Sequence, residues 1–385
     1  AASPTVDPLN APEAGGDRAY EHVRQLTEVI GPRVAGTAGE IAARDYIKTT
    51  LESFGYDVTV QEFPFDGTQY RSARIDVGDE ALPAVAFRGS PAGGVRGTLI
   101  EAGIGRPEDF PAEGLGGAIA LIERGDLTFT RKAENAAAAG AGGVIIYNNE
   151  DGALIGDAEG VTLPMVGISR ADGETAKRQL AAGAALAAIE IAEPRGIAYN
   201  VVAKPRGVTA CRTVSGGHYD SVPVTAGADD NASGAAAVIE LARVAAANKL
   251  AGANCFALFG AEEFGLVGSA AFVEGLADAD VNGMRAMINL DVVGTDAALT
   301  LIGDDDMVEL ARIEAQEAGV AATAGEVPAG SGSDHFSFQE AGIPVVFLYR
   351  HDPLIHTQQD AIGRILPASL EETVRVAYGV LESLN

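Results

Sequence analysis

The spacing of apolar positions predicts how the chain begins. Helical spacing over residues 17–30, and again from Thr37 to residue 55, predicts two helices. Thr37 with Glu40 three residues later is typical of a capping box at the start of the second helix. Residues 56–65 alternate between polar and apolar positions and predict a strand. We therefore expect two helices and a strand to open the fold.

The pattern changes twice further along the chain. Residues 67–195 contain short β runs separated by glycine and proline turns, with helices predicted over residues 130–140 and 172–182. Beyond residue 196, helices alternate with predicted strands near residues 197–203, 211–216, 255–260, 287–291 and 344–349. This alternation predicts an α/β fold with a mixed, largely parallel sheet flanked by helices. The simplest architecture is one domain of residues 1–66 plus 196–385, interrupted by an inserted β-rich α/β domain of residues 67–195.

The amino-acid composition limits the kinds of partner that the protein is expected to bind. The chain has 385 residues, of which 47% are apolar and 21% charged, as in a folded globular protein. Lys and Arg number 27 against 54 Asp and Glu, and the formal charge of −27 repels phosphate backbones, so we expect no nucleic-acid partner. No run reaches the roughly 18 apolar residues of a membrane span, so we expect none. The number of subunits is left open.

The cysteines and the first residues of the chain give information on the cellular compartment of the protein. Cys211 and Cys255 each lie in an apolar run and lack the spacing of a zinc ribbon. We expect buried free thiols, with a single bridge between neighbouring strands as the alternative. The chain begins at Ala1 with a segment rich in proline and alanine, residues 1–16, as after removal of a signal peptide or in any trimmed chain. We expect a secreted or extracytoplasmic protein.

Polar clusters in the last 190 residues carry the candidate chemistry. Most follow predicted strands at their carboxyl ends, where open α/β sheets assemble their ligand sites. The candidate metal ligands are His218, Asp229, Glu263, Asp291 and His356. Imidazoles and carboxylates without cysteine suit Zn²⁺, with Co²⁺ or Mn²⁺ as substitutes. Five ligands exceed the needs of one tetrahedral catalytic zinc and predict two ions about 3.5–4 Å apart that share a bridging carboxylate.

Each acidic residue in these clusters has a predicted role. Asp229 is the candidate bridge. Neighbours on extended backbone point in opposite directions, so Glu263 can bind metal while Glu262 faces the cavity. Glu262 is therefore the candidate general base, which takes a proton from the metal-activated water. The alternative is that Glu262 is only an acidic residue at a helix N-terminus.

Two further aspartates follow the candidate histidines closely. Asp220, two residues after His218, is expected to accept the second imidazole N–H and fix the tautomer, and we count it with the catalytic residues. Asp360 is a candidate for the same role near His356. Asp230 is expected to lie behind the ligands rather than among them.

In order along the chain, these motifs resemble peptidase family 28, the secreted di-zinc aminopeptidases. The resemblance rests on His218-x-Asp220, Gly227-Ala228-Asp229-Asp230-Asn231, Glu262-Glu263, Asn289-Leu290-Asp291, Ser333-Asp334-His335 and His356-Thr357-x-x-Asp360. It covers essentially the whole α/β part. The inserted region, with runs such as residues 118–125 and 144–149, resembles a protease-associated domain.

The resemblance implies a zinc exopeptidase fold and a set of roles. One zinc would bind His218 and Asp291, and the other Glu263 and His356. Asp229 would bridge the two ions, with a cis peptide bond after it, and Glu262 would be the general base. The implied activity is hydrolysis of N-terminal residues, bulky hydrophobic ones such as leucine, from peptide substrates with a free N-terminus.

Other functions stay open at this point. A carboxypeptidase or dipeptidase of the same family would need a basic residue for the substrate carboxylate, and the sequence does not locate one. A non-catalytic binding protein with a vestigial metal site is the alternative from another class. The complete ligand set, with Glu262 beside Glu263, weighs against that second alternative.

Overall fold

A computed structural model describes residues 13–66, 72–150, 152, 154–158, 160–183, 186–191, 195–327 and 332–385. The chain forms two compact units, one of Ala1–Phe65 with Gly196–Asn385 and one of Asp66–Arg195. The predicted division at residues 66/67 and 195/196 differs from this one by a single residue at its first boundary. Residues 1–12 of the segment predicted to be loose lie outside the described residues.

The larger unit is built on an eight-stranded sheet. In spatial order its strands are β1 (Asp57–Asp66), β9 (Arg195–Lys204), β11 (Asn254–Phe259), β10 (Thr213–His218), β12 (Ala286–Leu290), β15 (Val345–Arg350), β13 (Leu299–Gly303) and β14 (Ala322–Ala324). Strands β11, β10, β12 and β15 run parallel, whereas β9 and β13 pair antiparallel with their central neighbours. The predicted mixed, largely parallel sheet is confirmed.

Helices cover this sheet. They are α1 (Gly16–Arg24), α2 (Ala38–Ser53), α5 (Gly234–Ala247), α6 (Val267–Glu274), α7 (Asp278–Gly283), α8 (Asp305–Glu317), α9 (His335–Glu340) and α10 (Pro367–Ser383). A helix that is apolar on every side is buried on every side. Helix α5, rich in alanine, comes close to this case, since its two charged residues, Glu240 and Arg243, are buried and paired with each other, and it packs between strand β10 and helices α1 and α10.

The start of α2 differs from the prediction. The Thr37 hydroxyl donates to the carbonyl of Val34 at 2.6 Å and does not cap the helix. The Glu40 carboxylate turns inward and accepts the backbone N–H groups of Gly36 at 2.6 Å and Tyr199 at 3.0 Å. The predicted capping box is therefore wrong, because the Thr37 N–H bonds to the Val34 carbonyl and two other backbone donors, one of them distant in sequence, take up the Glu40 carboxylate.

The two cysteines also differ from the prediction. Cys211 and Cys255 form a disulfide. Strands β10 and β11 pair in parallel with Thr213 opposite Asn254, which brings the beginnings of both strands together. The prediction of free thiols is wrong, because the register of two strands 44 residues apart is not visible in the sequence.

In its described residues, the smaller unit is a closed seven-stranded barrel with two α-helices. Around the barrel the strands are β2 (Ser72–Val77), β3 (Glu80–Ala86), β7 (Met165–Ile168), β6 (Gly143–Tyr147), β5 (Ile119–Glu123), β4 (Gly93–Glu101) and β8 (Leu186–Ile191). The helices are α3 (Phe129–Ala138) and α4 (Arg170–Ala181). Across the described parts of both units, no helix is long and apolar enough to cross a bilayer.

Candidate metal centre

The predicted site residues gather at the carboxyl ends of the parallel strands of the larger unit. His218 is the last residue of β10, Asp291 directly follows β12, and Glu263 follows β11 by four residues. His356 lies in the loop after β15. The chain before His218 must run very close to its neighbour, since a Cβ at Gly217 would lie 2.2 Å from the carbonyl oxygen of Leu290. Glycine at this position therefore lets strand β10 deliver His218 to the sheet edge.

Asp230 lies between the two histidines. One of its carboxylate oxygens is 3.2 Å from Nε2 of His218, and the other is 2.9 Å from Nε2 of His356. His218 Nε2 is also 3.3 Å from Asp291 Oδ1, and His356 Nε2 is 3.0 Å from Glu263 Oε2. The five side chains thus form two adjoining groups that share the Asp230 carboxylate.

This geometry contradicts Asp229 as the bridging ligand. The Asp229 carboxylate is buried and accepts the backbone N–H of Gly294 at 2.7 Å. Burial raises the pKa of Asp229 to about 8. The cis peptide bond is likewise Asp230–Asn231, one position after the predicted one. The prediction chose the wrong member of an adjacent pair, because the sequence does not show which of two neighbouring side chains turns into the protein.

Asp220 has the predicted position beside His218 and a second contact. Its carboxylate lies 3.3 Å from Nδ1 of His218. It also accepts the backbone N–H groups of Glu262 at 3.1 Å and Glu263 at 3.4 Å. One buried carboxylate therefore orients both an imidazole and the turn that carries the two glutamates.

Glu262 has a different environment from Glu263. The side chain of Glu262 is 11% exposed, and its carboxylate is 3.9 Å from Nε2 of His218. The Glu263 side chain is 3% exposed and points to His356. The two carboxylates face different surroundings, as predicted, but the pair lies in a turn and not on extended backbone.

Asp360 does not take the role predicted for it beside His356. Its two carboxylate oxygens accept the backbone N–H groups of Asp229 at 2.7 Å and Asp230 at 3.2 Å. Its own carbonyl accepts the hydroxyl of Thr225 at 2.8 Å. Asp360 therefore fixes the backbone that carries the central Asp230 carboxylate.

Three polar residues that the sequence left without a role complete the surroundings. Ser333 Oγ donates to Asp291 Oδ2 at 2.8 Å and accepts from Asn289 Nδ2 at 2.7 Å. The Asn231 amide is fully buried and donates to the carbonyl of Leu290 at 3.0 Å. All three lie in motifs quoted above, but only the folded chain shows what they contact.

Electrostatics at the site favour bound positive charge. Burial alone would lower the pKa of His218, but Glu262 and Asp291 raise it well above its ordinary value. For His356, burial is likewise opposed by Glu263 and Asp230, and the pKa rises to about 12. Burial raises the pKa of Glu263 to about 7. Several carboxylates held this close together are stabilised by any cation placed between them.

The donor set fits zinc. Several buried atoms here have no hydrogen-bond partner among the described residues, including Nε2 of His218, Oε1 of Glu263 and Oδ1 of Asp291. With ligand bonds of about 2.0–2.2 Å, neighbouring donor atoms of a tetrahedral zinc lie about 3.3 Å apart. The nitrogen–oxygen distances of 3.0 and 3.3 Å reported above match that spacing. Two histidines and three carboxylates could therefore hold zinc without rearranging.

Comparison with protein families gives two matches. A model described as peptidase family M28 matches residues 200–381. A model described as a PA domain matches residues 85–176. The first match spans all the residues of the metal centre, and the second lies within the smaller unit.

Individual relatives agree with these matches. Aminopeptidase YwaD of Bacillus subtilis is 35% identical over 92% of this chain and 81% of its own length. Probable lipoprotein aminopeptidase LpqL of Mycobacterium tuberculosis is 31% identical over 72% of this chain, which spans 59% of that relative. Among solved structures, the zinc aminopeptidase BSAP from Bacillus subtilis aligns with a TM-score of 0.74 and 30% identity, over 97% of this chain and 95% of that one.

Proposed function

The chain belongs to peptidase family M28 as a metallo-aminopeptidase, and from this premise we propose a di-zinc enzyme that removes bulky hydrophobic residues from peptide N-termini. The observation that carries the proposal is the position of Asp230. Its two carboxylate oxygens lie 3.2 and 2.9 Å from the Nε2 atoms of different histidines, His218 and His356. A carboxylate so placed can bind two ions at once.

The proposed ligand set follows from these distances. His218 and Asp291 would hold one zinc, Glu263 and His356 the other, and Asp230 would bind both. When bound, the ions supply Lewis-acid chemistry, which polarises the scissile carbonyl and lowers the pKa of the attacking water. Asp220 holds the His218 imidazole and the backbone of the two glutamates, so both sets of donors keep their orientation.

Glu262 is the proposed general base. Its carboxylate is partly exposed and lies beside His218 without being needed as a ligand. Burial raises the pKa of Glu262 well above its ordinary value, which suits a group that must both accept and release a proton near neutral pH. Glu262 would take the proton from the attacking water and deliver it to the leaving amine. The reaction is then a single displacement in which the chain forms no covalent bond to the substrate.

Aromatic side chains beside the site support the hydrophobic preference. The rings of His335 and Phe347 stack with centroids 4.7 Å apart, and Tyr349 follows at 5.5 Å from Phe347. Burial raises the pKa of Tyr349, and the charge of Asp291 raises it further, so the Tyr349 end of this row lies within electrostatic range of the metal centre. Tyr349 is the partly exposed ring of the row, and an aromatic ring next to the reacting carbonyl would favour large side chains at the substrate N-terminus.

We also propose a secreted or extracytoplasmic location. The Cys211–Cys255 disulfide supports it, because disulfides persist in oxidising compartments. Assaying culture fluid, periplasm and cytoplasm of the cells that naturally produce the enzyme tests this proposal. Recovery of the active enzyme from the cytoplasm alone, with both cysteines reduced, would refute it.

The activity is tested with leucyl-p-nitroanilide and its N-acetylated counterpart. We expect cleavage of the free-amine compound only, loss of activity with a chelator and recovery on adding zinc. Alanyl and glutamyl p-nitroanilides test the hydrophobic preference, which requires a higher kcat/KM for the leucyl compound. Cleavage of the acetylated compound, or of peptides from the carboxyl end, would contradict an aminopeptidase.

Adjacent aspartates provide a matched test of the two-metal site. Elemental analysis should find two zinc ions per chain in the wild type and in Asp229→Asn, but fewer in Asp230→Asn. The two variants make the same chemical change one residue apart. Equal loss of zinc from both variants would remove the reason for assigning the bridge to Asp230.

A further inference from the structure

Arg33 is a fully buried arginine whose donors all bind backbone carbonyls. Its Nε donates to the carbonyl of Tyr219 at 2.6 Å, and Nη2 donates to Gly227 at 3.0 Å. Its Nη1 faces three more carbonyl oxygens, those of Leu26, Gly31 and Ala226. A guanidinium has five N–H donors in a rigid planar fork, so it can tie several chain segments together at fixed angles.

The carbonyls that Arg33 holds belong to the segments that carry the metal site. Tyr219 lies between His218 and Asp220, and Gly227 lies three residues before Asp230. The same guanidinium therefore fixes both the end of strand β10 and the turn that presents the central carboxylate. These segments are not neighbours in sequence, and Arg33 links them through one side chain.

The charge of Arg33 has no direct partner. Among the described residues, no carboxylate oxygen lies within ion-pair distance of its guanidinium, although the group is completely buried. Burial lowers the pKa of Arg33 to about 10, and Asp220, Asp360, Asp230 and Glu263 oppose that decrease from a longer range. A buried charge is tolerated only where opposite charge compensates it. Here the compensating charge is the acidic metal centre itself.

Arg243 shows the ordinary way to bury an arginine in the same unit. It is also almost fully buried, at 2% exposure. Its Nε donates to Glu240 Oε2 at 2.8 Å and its Nη2 to Glu240 Oε1 at 2.9 Å, which is a direct two-point ion pair. The charge of Arg243 is thus balanced by direct contact with one carboxylate. The guanidinium of Arg33 instead donates to carbonyls, and its charge is balanced from a longer range by the carboxylates in and around the metal centre.

We propose that Arg33 is a positioning residue of the metal centre, which fixes the carbonyls of Tyr219 and Gly227 and so holds the two segments that carry His218 and Asp230. Without it, the segments bearing His218 and Asp230 lose their common anchor. The inference rests on the proposed function in one respect, that these side chains bind zinc.

The test compares Arg33→Met and Arg33→Lys with Arg243→Met and Arg243→Lys. Zinc affinity is measured on chelator-treated protein by competition with a chromogenic chelator, and site geometry by the absorption spectrum of the Co²⁺ form. Changing residues that orient metal ligands costs about 10–100-fold in metal affinity. We expect a loss of that size and an altered Co²⁺ spectrum for Arg33→Met. Arg33→Lys keeps the charge without the fork, so we expect an intermediate loss.

The Arg243 variants are the matched control. We expect them to lower the melting temperature equally with and without zinc and to leave zinc affinity and the Co²⁺ spectrum as in the wild type. If Arg33→Met binds zinc as the wild type does, the inference is wrong. If Arg33→Met does not fold, Arg33→Lys decides, and wild-type zinc affinity in that variant overturns the inference. A wild-type protein that binds no zinc would refute the proposed function instead.

Discussion

The two units of the chain differ in the number and position of the charged side chains that they bury. In the described part of the smaller unit, Lys132 is the one charged residue among those that are fully buried. It lies outside the barrel strands, on helix α3, and donates to the carbonyls of Ile104 and Glu123. The larger unit buries many charged side chains, most of them carboxylates at one edge of its sheet. Every histidine and both cysteines of the chain also belong to the larger unit.

This difference distinguishes buried charges that stabilise the fold from buried charges that take part in chemistry. Lys132 and Arg33 are both buried cations that bind backbone carbonyls. Around Lys132 these bonds hold a loop to the end of strand β5, whereas around Arg33 they hold the segments that carry two of the proposed metal ligands, His218 and Asp230. A single buried charge is therefore weak evidence of function, and a cluster of them at a sheet edge is strong evidence.

The largest expected effect comes from Glu262→Gln in the larger unit. The amide cannot take a proton from water, so we expect kcat to fall by about 10²–10⁴-fold while zinc content stays unchanged. Kinetics with leucyl-p-nitroanilide and elemental analysis measure both quantities. The control in the smaller unit is Glu123→Gln, whose carboxylate accepts the Tyr147 hydroxyl at 3.1 Å, and it should leave kcat unchanged. A near-normal kcat in Glu262→Gln would show that another group is the general base.

Next in size is removal of the disulfide in Cys211→Ala/Cys255→Ala. The bond closes a loop with a sequence separation of 44, for which chain entropy predicts about 4 kcal/mol of stabilisation. Hydrogen exchange read peptide by peptide in urea resolves the two units. We expect the larger unit to lose protection at lower urea and the smaller unit to be unaffected. Equal protection of the larger unit in variant and wild type would contradict this prediction.

The substitution Lys132→Met tests whether the buried charge of the smaller unit only stabilises its fold. The carbonyls of Ile104 and Glu123 would lose their donor inside the protein, at a cost of about 1–3 kcal/mol for an unsatisfied buried group. We expect earlier exchange in the smaller unit and an unchanged kcat/KM for leucyl-p-nitroanilide. Arg131→Met, on the same helix with an exposed side chain, is the control and should have little effect on exchange. A fall in activity without loss of structure would give Lys132 a chemical role that we do not assign.

The smallest expected effect is a dependence on pH that His22 gives to the larger unit. Burial lowers the pKa of His22 from 6.5 to about 4. The unfolded chain takes up this proton below pH 6.5, but the folded chain does so only below about 4. Stability therefore falls as the pH decreases through that window. The ring is partly exposed, so we expect on the order of 1 kcal/mol.

The His22 effect is measured as a difference in urea midpoint between wild type and His22→Gln from pH 7 to pH 4. The difference cancels the titration of the other groups. The wild type should lose more stability than the variant over this range, because its Nδ1 contact with the Tyr46 hydroxyl at 2.6 Å suits a neutral ring. Parallel curves would show that His22 titrates alike in the folded and unfolded chain.

The sequence predicted those features that depend on local spacing. Strands with largely apolar runs, such as β11 and β12, and the polar residues that follow them were identified correctly, because chain order alone places those residues at one sheet edge. The metal-ligand types followed from the same motifs. Short strands such as β3 and β7 were not predicted, since five or so residues without strong alternation resemble turns.

Features that depend on distant partners could not be predicted. Asp229 and Asp230 are chemically identical, and only contacts with Gly294 and Asp360 turn the first inward and leave the second between the histidines. Arg33 stands 185 residues before His218 in an ordinary loop, so nothing in its own segment links it to the site. Register, burial and contacts between distant segments decide these roles.

The disulfide lies at the opposite ends of its strands from the chemistry. Cys211 precedes β10 by two residues, and the same strand ends at His218. Seven residues of extended chain span about 23 Å, so the bond is remote from the reacting groups. Breaking it makes the larger unit open more often without moving the ligands while that unit stays folded. The disulfide thus affects how long each enzyme molecule stays folded and active. The rate of each turnover depends on the groups at the other end of strand β10, near His218.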